Sequence, residues 1–253
     1  MIDIEKAKEA FKEYVKNYDS NNPKIKTKIF HIQRVAINSR KIAQNLNLNE
    51  ENIKLAELIG LLHDIGRFEQ IKRYNTFVDK ISINHGELGA KILFEDNKIR
   101  DFLEEDKYDK IIKSAIINHN KSAEEIVFNS KEEELHSKIV RDADKIDILN
   151  ILTFEEKSVV WEKEDVDGDM ISDDIYNEFI NYKNINYKNI RTSADILVCN
   201  FAYIYDLNYE YSKSVIREKE FLSKIYNRFN FIDARTKERF KNIIKISLKY
   251  LEN

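Results

Sequence analysis

Sulfur, proline and glycine are all scarce in this 253-residue chain. Cys199 is its one cysteine, so neither an intrachain disulfide framework nor a thiolate zinc site can form. A reducing setting fits that composition, and a cytoplasmic location is expected. One proline, Pro23, and five glycines leave few chain breaks, which favours long helices over a turn-rich β fold. An excess of charge of one sign is missing too. The 42 Lys and Arg nearly balance 45 Asp and Glu, for a net of −3, so nothing argues electrostatically for a nucleic-acid polymer as partner. A local basic pocket for phosphate stays compatible with that balance. No run of about 18 apolar residues occurs, so no membrane span is expected. The first eight residues lack the apolar stretch of a signal peptide.

What is present is apolar residues at helical spacing along most of the chain. Ala7, Phe11, Val15 and Tyr18 form a first short stripe, and Pro23 is expected to end it. Ile29, Ile32, Val35, Ala36, Ile42, Ala43 and Leu46 predict a second helix with His31 near its start. Ile53 to Leu62 predicts a third, running into His63-Asp64 and broken at Gly66. Residues 68–84 read as loop with a short helix. Further helices are expected from His85 to Phe94, from Ile111 to His119, and from Leu135 to Leu149. The acidic stretch 162–174 reads as a solvated loop, and helices follow over about 193–206 and 232–251. The expectation is an all-α, irregular helical bundle. No flexible linker is visible, so residues 1–150 read as one helical domain and 151–253 as a helical extension packed on it.

The histidines are the most informative residues. Only five occur, and His31, His63, His85 and His119 are spread through the first half. His63 is followed by Asp64, and Arg141-Asp142-Ala143-Asp144-Lys145-Ile146-Asp147 closes the series. A lone histidine on an apolar helix is more often structural than ligating. Here each candidate sits near the end of an apolar helix, where a polar group is costly unless paired, and a shared cation offsets that cost. Imidazole and carboxylate without thiolate suit Mn, Fe, Co, Ni, Zn or Mg. A shared carboxylate such as Asp64 could bridge two ions about 3.5–4 Å apart.

Five stretches in order carry a family resemblance: His31-Ile32-Gln33-Arg34, Leu62-His63-Asp64-Ile65-Gly66, His85-Gly86-Glu87-Leu88-Gly89-Ala90, Ile117-Asn118-His119, and Arg141 to Asp147. The sequence resembles the HD domain superfamily of metal-dependent phosphohydrolases. The resemblance implies that His31, His63, Asp64 and Asp144 hold a first metal. It also implies that His85 and His119 hold a second, with Asp64 bridging a binuclear centre. Two substrate classes are disfavoured. The Gly-Tyr-Pro signature of cyclic-di-GMP phosphodiesterases is absent, and Arg67-Phe68 stands where guanosine tetraphosphate hydrolases carry Glu-Asp.

Arg67, three residues past Asp64, is a candidate phosphate clamp. Lys145 and Arg191 are further candidate substrate cations, although Lys145 points about 100° away from Asp144 on a helix. Asp64, Arg67 and Glu69 are the candidate catalytic residues, with Glu69 a candidate for proton transfer. His136 lies about 12 Å along the helix from Asp144 and reads as structural or surface. Tyr and Phe at 201–211 read as core. The expected activity is hydrolysis of a phosphate ester or anhydride of a nucleotide or other small phosphorylated metabolite. A di-iron oxygenase of the same superfamily and a non-catalytic metal-dependent sensor are the alternatives. A homo-oligomer is compatible with the sequence.

Overall fold

Three- and four-residue apolar spacing folds into helices throughout, and no strand occurs among the described residues. The computed structural model describes residues 2–157, 160, 166–182 and 185–252. The chain divides into two units, Met1–Asp144 and Lys145–Asn253. The division falls inside a helix, ahead of the boundary expected at residue 150.

In the first unit, α1 (Ile4–Val15) starts at Asp3, whose carboxylate accepts from Lys6 N at 3.0 Å. Pro23 does not end a helix. It opens α2 (Pro23–Asn45) behind the Asn22 cap, where proline's missing N–H costs nothing. His31 is therefore more than two turns inside α2, rather than near its start. Helix α3 (Glu50–Leu62) is capped by Asn49 and is buried on every side from Leu55 to Leu62. Helices α2 and α3 approach closely because Gly60 carries no side chain. A Cβ there would lie 2.8 Å from Ala36 Cα and 2.7 Å from Ser39 Oγ.

Gly66 opens α4 (Gly66–Tyr74) after a short corner, so the break expected there is a change of direction between helices. It also seats α5 (His85–Ala90), since a Cβ on Gly66 would stand 2.3 Å from His85 O and 2.6 Å from Gly89 N. Asn84 caps α5 through Gly86 N and Glu87 N, and the helix widens into a π-type turn over Lys91–Glu95. Then come α6 (Ile99–Phe102), α7 (Asp109–Asn118) and α8 (Lys131–Phe154).

The second unit takes the end of α8, then α9 (Asp173–Ile180), α10 (Ser193–Ala202), α11 (Glu210–Glu218), α12 (Phe221–Tyr226) and α13 (Ala234–Glu252). The stretch expected to be a solvated loop partly lies outside the described residues. Its described part buries Val166 and Ile171 and leads into α9. Asp195 is fully buried and ties the start of α10 to Ser172, accepting from Ser172 N, Ser172 Oγ, Arg191 N and Thr192 N. Phe201 and Phe231 close on Phe240, with ring centroids 5.4 and 5.1 Å away. No helix among the described residues is long and apolar enough to cross a membrane.

Candidate metal centre

Five elements of the first unit place the six residues. His31 comes from α2, and His63 and Asp64 from the corner between α3 and α4. His85 is the first residue of α5, His119 follows α7, and Asp144 comes from α8. The corner forms because α3 stops at Leu62, with Ile65 N bonded to Leu62 O and Arg67 N to Asp64 O. Arg141, one turn before Asp144, donates to the carbonyls of Asn118, His119 and Lys121 and so fixes the end of α7.

Asp64, only 3% exposed, is the midpoint. Its Oδ2 lies 3.4 Å from both His31 Nε2 and His63 Nε2. Its Oδ1 lies 3.3 Å from His85 Nε2 and 3.5 Å from His119 Nε2. Asp144 Oδ1 completes the first side, 3.1 Å from His31 Nε2 and 3.7 Å from His63 Nε2. Three overlapping sets could each hold a metal ion: His31-His63-Asp64, His63-His119-Asp144 and Asp64-His85-His119. Within each set the ligand atoms lie within 4.8 Å of one another.

The rings are aimed by their other nitrogens. His63 Nδ1 lies 2.8 Å from Gly60 O, and His119 Nδ1 lies 2.7 Å from Ile116 O. A carbonyl only accepts, so each Nδ1 carries a proton, and in the neutral ring each Nε2 keeps its lone pair for the centre. His85 Nδ1 lies 2.6 Å from Asp79 Oδ2, with the same result. His63 Nε2 and Asp64 Oδ1 are buried and make no hydrogen bond. Buried polar atoms left in that state are costly, and a divalent ion would satisfy both, so the donor set fits one.

The electrostatics describe the metal-free cluster. Burial opposes a charge on His63, but the neighbouring Asp64 and Asp144 carboxylates outweigh it and push the ring up to about 10. Burial likewise opposes ionisation of Asp64, yet Lys28 and the histidines hold it well below the usual carboxylate range. Asp144 is held low, against burial, by His31 and His63. His85 goes the other way, down to about 3, through burial and the nearby Arg67 guanidinium. A neutral His85 suits both donation to Asp79 and ligation.

Of the remaining candidates, Arg67 borders the centre and the others are paired away from it. Arg67 directs Nη1 at Gln70 Oε1, Phe77 O and Asp79 Oδ1, so it pins the segment after α4. Its Nε stays 3.6 Å from Asp64 Oδ1. Glu69 is taken up by Arg73 Nε at 2.7 Å and the Tyr18 hydroxyl at 3.3 Å. Lys145 and Arg191 belong to the second unit, where they pair with Asp206 at 2.9 Å and Asp174 at 3.0 Å. His136 is structural, 3.0 Å from Asn52 Oδ1, and burial lowers it to about 4.

Sequence reasoning missed two residues. Asp79 orients His85, and its distance of six residues upstream within a stretch read as loop gave no signal. Lys28 places Nζ 2.7 Å from Asp64 Oδ2. It lies one helical turn before His31, which was legible only once α2 is known to begin at Pro23.

Searches of curated proteins and of solved structures give no match. The model of the HD domain family matches residues 29–149, a stretch that begins just before His31 and ends just after Asp144. With the His and Asp side chains of that stretch gathered where a metal could bind, residues 29–149 form an HD domain, a family of mostly metal-dependent phosphohydrolases.

Proposed function

We propose that this protein is a phosphohydrolase with two divalent ions, acting on a phosphate ester or anhydride of a nucleotide or another small phosphorylated metabolite. One observation carries the reading: the two oxygens of Asp64 face different pairs of imidazoles, His31 with His63 and His85 with His119. That division suits a carboxylate that would be shared between two ions. His31, His63 and Asp144 would hold one ion with Asp64, and His85 and His119 the other.

Bound divalent ions supply a more acidic water and neutralise charge on phosphate oxygens. The protein's own share is positional. Gly60 O, Ile116 O and Asp79 fix the rings in the tautomer that leaves Nε2 free to ligate. Arg67 keeps Asp79 beneath His85 and leaves a positive charge beside Asp64. Glu69, held by Arg73 and Tyr18, is given no proton to carry. The net reaction places a water oxygen on phosphorus, breaks the bond to the leaving oxygen and returns a proton to it.

The test is phosphate release from nucleoside mono-, di- and triphosphates and simple phosphate esters, before and after chelation and reloading with Mn, Co, Ni, Zn or Mg. Release that vanishes with chelator and returns with one of these ions is expected. Asp64→Ala should lose both ion binding and release. An Asp64→Ala protein with full activity would remove the residue from the mechanism. Silence across the panel, with oxygen uptake by iron-loaded protein, would replace hydrolysis by oxygenation.

A further inference from the structure

A short charged contact to the centre is made by a residue outside the six. Lys28 Nζ stands 2.7 Å from Asp64 Oδ2, the oxygen that also faces His31 and His63. The lysine is not a surface residue in chance contact, because its side chain is 15% exposed and its partner's 4%. Its ammonium also lies 5.3 Å from the centre of the Phe77 ring, and the Arg67 guanidinium lies 5.5 Å from the same ring. Phe77 thus borders two cations on the Asp64 side of the domain, and the Phe77 carbonyl is itself held by Arg67.

Resting on the hydrolase reading above, we propose that Lys28 is a phosphate-binding residue that Asp64 holds in place until a divalent ion arrives. The Asp64 carboxylate has one negative charge, shared over its two oxygens. A divalent ion on it repels an ammonium at hydrogen-bonding distance and takes the charge that attracted that ammonium. Lysine suits such a transfer better than arginine does. It has a compact charge on four flexible carbons and no planar fork to satisfy. With Asp64 engaged, a phosphoryl oxygen of the substrate offers Nζ a new anionic partner. The substrate class that follows is one with a dianionic terminal phosphate, since the phosphoryl group must supply charge to the ions and to Lys28 together.

The experiment compares wild-type protein with Lys28→Gln and Lys28→Arg by titration calorimetry, first with Mn²⁺ alone and then with inorganic phosphate on the loaded protein. Removing a competitor for Asp64 should make Lys28→Gln bind Mn²⁺ several-fold more tightly. Phosphate should bind it at least tenfold more weakly, and Lys28→Arg should recover most of that loss. Lys28→Met retains the stem beside Phe77 and carries the same expectations if the glutamine variant folds poorly. Phosphate affinity within twofold of wild type in the uncharged variant would overturn the assignment and leave the hydrolase reading intact. So would weaker Mn²⁺ binding, because Lys28 would then be a support for Asp64. A wild-type protein that binds Mn²⁺ but no phosphate would overturn both.

Discussion

At the scale of the residue, His63 sets how metal binding depends on pH. Its ring is raised from the ordinary histidine value to about 10 in the metal-free cluster. A ligand must be neutral, so below that pH an ion entering on Nε2 displaces one proton. Apparent affinity should therefore rise about tenfold per pH unit between 7 and 10, and calorimetry in two buffers should register the released proton. A flat profile would mean that His63 is not a ligand. The same raised value predicts that metal-free protein is steadied by protonated His63. That contribution is complete below about pH 6.5 and fades as pH climbs to about 10. Asp79→Ala removes the acceptor for His85 Nδ1 and should weaken ion binding about 10–100-fold, read by metal competition. The six clustered side chains were visible in the sequence because imidazole is rare here and its order along the chain is distinctive. Lys28 was not, since one lysine among 42 basic residues has no pattern of its own. Only its contact with Asp64 distinguishes it.

At the scale of the element, the centre depends on how closely α4 and α5 approach. Gly66→Ala would drive a methyl into His85 O and Gly89 N, both backbone atoms that cannot swing aside. The helix pair must separate, at about 1–3 kcal/mol in urea denaturation. His85 moves with it, so ion affinity should fall as well. An alanine variant as stable as wild type would show that α5 is not seated by that contact. Periodicity located most helices, because burial of one apolar face leaves its spacing in the sequence. It misjudged Pro23, whose ring suits the first turn of a helix as readily as it ends one. It also could not see the tie between α4 and the segment ahead of α5. Gln70 and Arg67 hold Asp79, Ser82 and two backbone carbonyls there, and such polar contacts obey no hydrophobic period.

At the scale of the whole molecule, two units share α8, and Asp144 is the last residue of the first. All six candidate ligands therefore belong to Met1–Asp144. Binding to the folded state alone adds about 2.7 kcal/mol at a hundredfold excess over Kd, so chelator should lower the melting temperature by several degrees. No change on chelation would mean that no ion was bound. The second unit was legible as helical and Phe201 as core, but Tyr203, Tyr205, Tyr209 and Tyr211 are only half-buried, and the sequence there does not declare a chemistry. Its buried acid, Asp195, is spent on backbone amides and a serine hydroxyl. The anchored rings of the first unit have one more consequence. With His63, His85 and His119 tethered from behind, the centre offers four imidazole nitrogens and only two carboxylates, Asp64 and Asp144. Calcium seeks six to eight oxygens at longer reach. It should be shut out by want of partners, leaving manganese occupancy untouched in a competition assay even when calcium is in large excess.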